Sequence, residues 1–510
     1  MHRVSTRFII LKMKLKKRFI FQAISYLSIA FSITNCKTSV DKNPSKSDIV
    51  AQKIAVKSMH DDLSILWSAI KELHPGYGIY TPPDSLAKAY NKTFASINAP
   101  LSEGEFVDRV YPFLCQLRCG HTQITHSAGY KPISAPHLPF EVLVKHHRAW
   151  ITTTQTQELS TGDEIIKMNN TPVAEIISHG YDLYCGDGYN ETFKELFLSE
   201  YDGFEDACNK YYHWTGPYQI TLRTKQSESK TISVNPLAGN SSQTQAIKPV
   251  DNYTNWTEAK NTGRLPLYFL NNSSTALFTA KTFEYEDTLL YKEAFKQIHQ
   301  RGIKNLIIDM RHNTGGDIRI AIQLLSYLAD APYHIINDAK SRIPNPALSH
   351  FAKYFDTSRT TGFNQGFHPG NKEGSWYHIN TKAVFGKIYG PLPLSKTDHF
   401  NGNLLVLIDG ATFSSGALFT SALKAQRRDA KFIGRETAGA EEGCNGMTIQ
   451  KLTLPNTKIS IAFPWMRVVS AAQKSTFGHG VMPEHEVDYS PEDIVSKRDR
   501  DLETALSLVK

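Results

Sequence analysis

Two junctions in the carboxyl-terminal half of the chain carry residue types that could perform acyl transfer. The stretch 409–417 reads D-G-A-T-F-S-S-G-A and directly follows the apolar run N-L-L-V-L-I, so two serines lie where a strand should end and a helix begin. The stretch 309–317, D-M-R-H-N-T-G-G-D, follows a second apolar run. Ligand sites in open parallel sheets form where strands end and helices begin, because helix amino termini present unpaired N–H groups.

Each of these residues also has an ordinary structural explanation. Ser is a favoured N-cap residue, so capping alone would account for Ser414 or Ser415. A nucleophile would instead project its hydroxyl above the sheet edge, with the N–H of the next residue facing the oxyanion. Gly315 and Gly316 either bring backbone N–H groups close to that oxyanion or form a plain glycine turn. A serine nucleophile also needs a base, and none of the 19 histidines is singled out by local sequence, His121 in C-G-H-T included.

The elements that would position these residues alternate between helix and strand. The strands are too apolar to be half exposed, which predicts a mainly parallel sheet covered on both faces. The predicted elements are a helix at 287–300, a strand at 305–310, a helix at 317–329, a strand at 403–408, a helix at 415–425 and a strand at 431–433.

Two differently patterned segments precede this alternation. Residues 49–126 show helical periodicity, whereas residues 134–236 change to short strands. The stretch 161–176, T-G-D-E-I-I-K-M-N-N-T-P-V-A-E-I, resembles the core of a PDZ domain. The aromatic-rich stretch 181–214 is longer than that fold needs and is interpreted as an insertion. The polar stretch 239–245 is typical of a linker.

Charge and hydropathy set the amino terminus apart from the remainder. Seven of the 57 Lys and Arg residues fall within the first 35 residues, and the other 50 nearly balance 49 Asp and Glu residues. The near-neutral body lacks the basic surface of a nucleic-acid-binding protein. The basic start precedes an apolar run at 19–33, which predicts an export signal. This run ends in S-I-T-N-C and resembles a bacterial lipoprotein signal in which Cys36 is acylated, although Asn35 replaces the usual small residue; a plain cleaved leader is the alternative.

Five cysteines follow Cys36. Export would permit disulfides, but the odd number leaves at least one thiol unpaired, and spacing does not give the pairing. Cys115 and Cys119 lie one helical turn apart, yet without C-x-x-C or H-E-x-x-H a core or disulfide role is favoured over metal binding. The five are Cys115, Cys119, Cys185, Cys208 and Cys444.

The ordered set of short motifs is more specific than any one of them. C-G-H-T, D-M-R-H-N-T-G-G, T-F-S-S-G-A, G-R-E-T-A-G and G-H-G-V-M-P-E follow one another, with the PDZ-like segment between the first two. This order resembles the serine peptidase family of carboxyl-terminal processing peptidases and tricorn core peptidases. The resemblance implies an α/β fold with a crotonase-like catalytic core. The implied parts are a signal peptide at 1–36, a helical domain at 37–132, an inserted PDZ-like β domain at 133–240 and the peptidase core at 241–510.

Carried over position by position, the resemblance assigns roles to residues. Ser414 matches the nucleophile, and the N–H groups of Ser415, Gly315 and Gly316 would form the oxyanion hole. The processing branch uses a lysine base where this chain has Ala440, so a Ser-Lys dyad is not expected.

The tricorn-like branch uses a histidine from the amino-terminal region, which His121 matches. That branch also carries a glutamate near the position of Phe477 here, and Glu441 or Glu442 is the expected substitute for orienting the histidine. A backbone carbonyl or water could hold His121 instead.

The resemblance implies an exported serine endopeptidase that acts on protein or peptide substrates without metal or organic cofactor. Its expected location is the bacterial periplasm or cell envelope, with a membrane anchor at Cys36. One alternative is a catalytically inactive lipoprotein that binds peptides by strand addition. Another is a site for a phosphate-bearing acyl thioester, against which the export signal argues.

Overall fold

The computed structural model describes residues 53–132, 136–237 and 254–509. The predicted signal peptide at 1–36, which includes Cys36, and the predicted linker at 239–245 lie outside these ranges. In the part of the chain that is described, no helix is both long and apolar enough to cross a membrane.

Apolar residues at three- and four-residue spacing make the first described segment helical. Leu63, Leu66 and Ile70 lie on one buried face of the first helix. Ser102 and Glu105 form a capping box at the start of the third. The elements are α1 (Val56–Leu73), α2 (Pro83–Ser96), α3 (Glu103–Cys115) and the short strand β1 (Gln123–Thr125).

Residues 136–237, named the β domain here, form an antiparallel sheet with its own hydrophobic core. Alternate residues of its first strand are buried, as expected for a strand with one face against a core. The strand order is β2-β3-β4-β6-β7, with β5 paired to β4. The elements are β2 (Phe140–Lys145), β3 (Arg148–Thr154), β4 (Glu164–Met168), β5 (Thr171–Pro172), α4 (Val173–Tyr181), α5 (Thr192–Glu200), α6 (Gly203–Asp206), β6 (Tyr218–Arg223) and β7 (Ser229–Val234).

The remaining described residues, 254–509, contain the elements predicted from the alternating pattern. Their bounds are β8 (Trp256–Glu258), β9 (Leu267–Leu270), β10 (Thr275–Thr279), α7 (Thr288–Gln300), β11 (Asn305–Asp309), α8 (Ile318–Ser326), β12 (Ile336–Ser341), α9 (Thr357–Gly366), β13 (Phe367–Glu373), β14 (Trp376–Thr381), β15 (Asn403–Ile408), α10 (Ser415–Gln426), β16 (Lys431–Gly434), β17 (Gly443–Thr453), β18 (Ser460–Ser470), β19 (His485–Glu486), α11 (Pro491–Val495) and α12 (Arg500–Ser507).

A seven-stranded sheet runs in the order β19-β16-β15-β11-β10-β9-β8. Strands β10, β11, β15, β16 and β19 are parallel to one another, whereas β10 pairs with β9 in the antiparallel sense. Every residue of β11 is buried. The predicted α/β class and the buried parallel sheet are confirmed. Because β11 and β15 are adjacent, the loops that follow them lie side by side.

A second, antiparallel sheet was not predicted. The long strands β17 and β18 pair along their length, and the other edge of β18 pairs with β1 at residues 460–462 and with β12 at residues 467–470. Strands β14 and β13 continue the sheet beyond β12. The pairing of β1 with β18 joins the segment after α3 to residues 254–509. The hydrophobic core also runs continuously from α1 and α3 into the seven-stranded sheet, so the helical segment does not have a separate core.

Candidate active site

The loop between β15 and α10 holds Ser414 in a strained conformation. Ser414 has φ 54° and ψ −126°, a region that non-glycine residues rarely adopt and that costs on the order of 1–3 kcal/mol. Two hydrogen bonds tie this loop to the one after β11: the Thr412 hydroxyl donates to the Met310 carbonyl at 3.0 Å, and the Phe413 N–H donates to the Asn313 carbonyl at 2.9 Å. A sharp, strained strand-to-helix turn is how hydrolases expose a nucleophilic serine.

His121 lies directly against this serine. Its Nε2 atom is 2.9 Å from Ser414 Oγ, although the two residues are 293 positions apart in sequence. The ring packs on Phe413 with 4.5 Å between ring centroids and is buried. Burial lowers the pKa of His121 to about 4, so the imidazole is neutral near pH 7 and its Nε2 is able to accept the serine proton.

A second histidine positions the turn that carries His121. His74, in the motif E-L-H-P-G, accepts a hydrogen bond from the Gly76 N–H at Nδ1, 2.9 Å away. Its Nε2 therefore carries the proton and donates to Thr122 Oγ1 at 2.8 Å. Burial, followed by the charge of Arg342, lowers the pKa of His74 to about 3. The bond to Thr122 holds the residue next to the candidate base.

The predicted oxyanion donors lie beside Ser414. A Cβ added to Gly315 would lie 2.7 Å from Ser414 Cβ and 3.0 Å from the Ser415 nitrogen, so only glycine allows this approach. The Gly315 N–H, however, donates to Asn313 Oδ1 at 2.8 Å. The Ser415 N–H lies in the first turn of α10, where N–H groups lack intrahelical acceptors, and it and the Gly316 N–H are the better-placed donors.

Glu441 is not at the position predicted for it. Its carboxylate pairs with Lys424 at 3.4 Å, and its backbone carbonyl accepts hydrogen bonds from Ser421 and Ser470. Glu442 accepts hydrogen bonds from the Tyr80 hydroxyl and the Gly478 N–H. Among the described residues, no hydrogen-bond partner reaches Nδ1 of His121. The loop after Gly439 thus turns both carboxylates to other partners.

Sequence reasoning missed Asp187, a buried acid near His121. One oxygen of its carboxylate accepts the Gly120 N–H at 2.7 Å, and the other has no hydrogen-bond partner within the described ranges. A carboxylate oxygen of Asp187, a ring nitrogen of His121 and Cys119 Sγ all lie within 4.8 Å of one another. Burial raises the pKa of Asp187 to about 7. Its surroundings, C-G-D-G-Y in the insertion, match no motif, so spacing alone could not have identified it.

Among the described residues, Cys119, His121 and Asp187 also form a group whose side chains could ligate a metal ion. A metal on Nδ1 would, however, require the remaining ring proton to sit on Nε2, where it would stop His121 from accepting the Ser414 proton. The arrangement therefore fits a serine, a base and an acid better than a metal centre.

His312 lies in the same region with a different environment. Its Nδ1 is 2.8 Å from Asp409, and its Nε2 is 2.8 Å from Glu200 on α5 of the β domain. The charge of Asp409, with hydrogen bonds to both carboxylates, raises the pKa of His312 to about 11. His312 is thus a cation that links the β domain to the loop leading to Ser414.

Comparison with known proteins agrees with this geometry. A family model described as peptidase family S41 matches residues 274–487. The structure is similar to that of mature CPAF, with a TM-score of 0.60 and 15% identity over 87% of this chain and 94% of that one. The structure of mature CPAF complexed with lactacystin is also similar, with a TM-score of 0.61 and 15% identity over 89% of this chain and 97% of that one. At this identity the likeness shows the fold alone. No curated protein matches the chain.

Proposed function

We propose that this chain is a serine endopeptidase acting through an acyl-enzyme on Ser414, a proposal supported by the match of residues 274–487 to the model of peptidase family S41. The observation that carries the proposal is the 2.9 Å contact between His121 Nε2 and the oxygen of the strained Ser414. A buried, neutral histidine against a serine at a strand-to-helix turn has the geometry of an activated nucleophile.

In the proposed reaction His121 acts twice. It first takes the proton of Ser414 at Nε2 while the serine oxygen attacks the peptide carbonyl. The oxyanion that forms is held by the N–H groups of Ser415 and Gly316, and such a donor contributes about 3–4 kcal/mol in hydrolases. His121 then gives the proton to the departing amine, and a water molecule, deprotonated by the same nitrogen, hydrolyses the ester.

The finer architectural assignments belong to the same proposal. A crotonase-like core is supported by the buried parallel strands and the loops that converge after β11 and β15. A PDZ-like β domain is supported by its antiparallel sheet with α4 following β5, and it would bind substrate chains by strand addition. Residues 185–193 of the insertion reach the catalytic half, where the Asn190 side chain donates to the Thr437 carbonyl at 3.0 Å.

We also propose export and acylation at Cys36, on the grounds of the basic start, the apolar run at 19–33 and the cysteine that ends it. Expression of the full chain and of a Cys36→Ala variant in a bacterial host, followed by membrane fractionation and mass measurement of the amino terminus, tests this. An acylated Cys36 in the membrane fraction is expected, and an unmodified residue 36 in the wild type contradicts the assignment.

The catalytic proposal is tested on a soluble form that begins at residue 37. This form is incubated with denatured proteins, and new chain ends are identified by mass spectrometry beside Ser414→Ala and His121→Ala. We expect cleavage by the wild type and none by either variant. Intact folding and peptide binding without cleavage by the wild type would instead support the peptide-binding lipoprotein.

A further inference from the structure

Two buried polar atoms near the candidate base lack partners and are complementary in kind. Within the residues described, His121 Nδ1 and Asp187 Oδ2 make no hydrogen bond, and Asp187 is 1% exposed. The carboxylate and a ring nitrogen of His121 lie within 4.8 Å. Nε2 already faces Ser414. When it accepts the serine proton, the ring's own proton must reside on Nδ1, which then needs an acceptor.

We infer that Asp187 is the acid that positions His121, by a small side-chain rotation or through one bridging water molecule. This role rests on the proposed peptidase function. An ionised Asp187 would fix the proton of the neutral ring on Nδ1 and stabilise the imidazolium that forms when Ser414 attacks. Asp187 is a positioning residue, since its contact is with His121 and not with the reacting atoms.

Hydrogen bonds at Asp187 and at the two residues that follow it hold this segment against the turn that carries His121. The Gly120 N–H binds its Oδ1 at 2.7 Å and so joins it to the residue preceding His121. Next along the chain, the Gly188 N–H donates to the Arg118 carbonyl at 3.1 Å, and the Tyr189 N–H donates to the Gly478 carbonyl at 2.7 Å. Among the described residues, Oδ2 is left as the carboxylate oxygen without a hydrogen-bond partner.

The assignment predicts a pH dependence. A protonated Asp187 would donate to Nδ1 and force the ring proton onto Nε2, which would then be unable to accept from Ser414. The pKa of Asp187 is raised to about 7 by burial, against which the Gly120 N–H and Arg467 act. Activity should therefore increase as the pH rises through about 7. Besides His121, the titratable or charged groups facing Asp187 are Tyr80, Cys119, Glu442, Cys444 and Arg467.

Asp187→Asn tests the inference, because the amide keeps an oxygen for the Gly120 N–H but does not titrate. We expect kcat to fall about 100-fold or more with KM changed less than about threefold, and the inflection near pH 7 to disappear. Cys119→Ser is the matched control: it changes a neighbouring buried side chain of the same group but removes no acid, and it should retain the wild-type pH profile.

A second readout separates this inference from the peptidase proposal. Nitrogen NMR of labelled histidine in Ser414→Ala reports the His121 tautomer whether or not the protein cleaves peptides. The proton should reside on Nδ1, and adding Asp187→Asn should change this signal. An unchanged signal, or an Asp187→Asn enzyme within about threefold of the wild type, overturns the inference. Equal losses in Cys119→Ser and Asp187→Asn, with a rate altered by a chelator, would overturn it in favour of a metal site.

An independent contact in the same segment concerns two thiols. Cys115 Sγ at the end of α3 and Cys185 Sγ in the insertion are 2.8 Å apart, closer than two non-bonded sulfur atoms normally approach. Both are buried free thiols, 70 residues apart. We propose that they form a disulfide when the protein meets a disulfide oxidant. Each thiol then loses a proton and the pair loses two electrons, which reduce the oxidant's disulfide to two thiols.

The disulfide would clamp the segment carrying Asp187 to the helix that precedes His121. Peptide mapping without reductant, after incubation with oxidised glutathione, should find Cys115 joined to Cys185. The thermal midpoint of the wild type should rise by roughly 2–5 °C over its reduced form. Cys208→Ser, a substitution of a buried thiol elsewhere in the β domain, should keep this rise, and Cys115→Ser should lose it. Free thiols at both positions after oxidation would overturn the proposal.

Discussion

His121 and His312 contact the same loop of residues 409–414 but differ in their surroundings. His121 reaches it through Ser414 and is buried, and no carboxylate of the described residues is hydrogen-bonded to its ring, so burial lowers its pKa to about 4. His312 reaches it through Asp409 and is also bonded to Glu200, so its pKa rises to about 11. Only the first is a neutral base at physiological pH.

The difference shows that proximity to the loop carrying Ser414 does not by itself give a histidine the neutral ring that a general base needs. A pair of carboxylates makes His312 a cation at neutral pH, and its ion pair with Glu200 stabilises the attachment of the β domain. Burial keeps His121 neutral, and an acid close by but not bonded to it could stabilise the charge that arises during reaction without protonating the resting base. The two environments therefore predict that substitution of His121 mainly lowers activity and that substitution of His312 mainly lowers stability.

The largest predicted effect separates the histidines by activity. His121→Gln should lower kcat by about 10³-fold or more, because no other described side chain is placed to take the serine proton. His312→Gln should lower it less than about fivefold, since it removes the side-chain ion pairs to Glu200 and Asp409 but keeps the hydrogen bond from the backbone N–H of His312 to Asp409. Rates of peptide hydrolysis by the wild type and both variants at pH 7.5 measure the two losses of kcat. Equal losses would contradict the distinction, and circular dichroism checks that both variants are folded.

Sequence predicted the strands and helices around these histidines well. The predicted strand at 403–408 coincides with β15, and the predicted helix at 415–425 ends one residue short of α10. Both succeed because apolar runs flanked by glycine or polar turns carry a local signal. His121 and Ser414 were paired by the motif order, which the family resemblance supplied, and the 2.9 Å contact agrees with that pairing.

Other parts depend on distant contacts that leave no local pattern. Strand β17 buries the polar side chains of Asn445, Thr448 and Gln450, which hides the alternation by which strands are recognised. Asp187 lies near His121 only because the fold packs the insertion against Gly120. The carboxylate of Glu441 was expected near His121 because it is close to the family motif in sequence, yet it forms an ion pair with Lys424 on α10. Sequence proximity was a poor guide to proximity in space.

The second prediction concerns the stability that His312 contributes. Its pKa is about 11 in the folded protein and about 6.5 when unfolded. The folded state therefore binds more protons between these values, and the contribution of His312 is fully present below pH 6.5 and lost progressively as the pH rises towards 11. Thermal midpoints of wild type and His312→Gln should differ most near pH 6, and the difference should be clearly smaller at pH 10. A constant difference across this range would show that His312 is not held as a cation.

A smaller effect on activity is expected from the third histidine at the site. His74→Gln should lower kcat by roughly tenfold, because the Thr122 turn next to His121 loses its fixed partner. It should also cost about 1–3 kcal/mol of unfolding free energy, as the buried Gly76 N–H loses its acceptor. Kinetics below the unfolding transition, with urea titration in parallel, separate the two effects. Unchanged kcat in the folded variant would confine His74 to stability.

The smallest predicted effect tests whether Glu441, which is close to the family motif in sequence, or Asp187, which is close to His121 in space, positions His121. Glu441→Gln should leave kcat within about twofold of the wild type, since the side chain pairs with Lys424 and the bonds to Ser421 and Ser470 come from the backbone. Asp187→Asn, measured in the same assay, should lose far more activity. If Glu441→Gln proved the more damaging change, the carboxylate would have to leave Lys424 and turn to His121 during reaction. The contrast between His312, which is bonded to carboxylates, and His121, which is not, would then describe only the resting state.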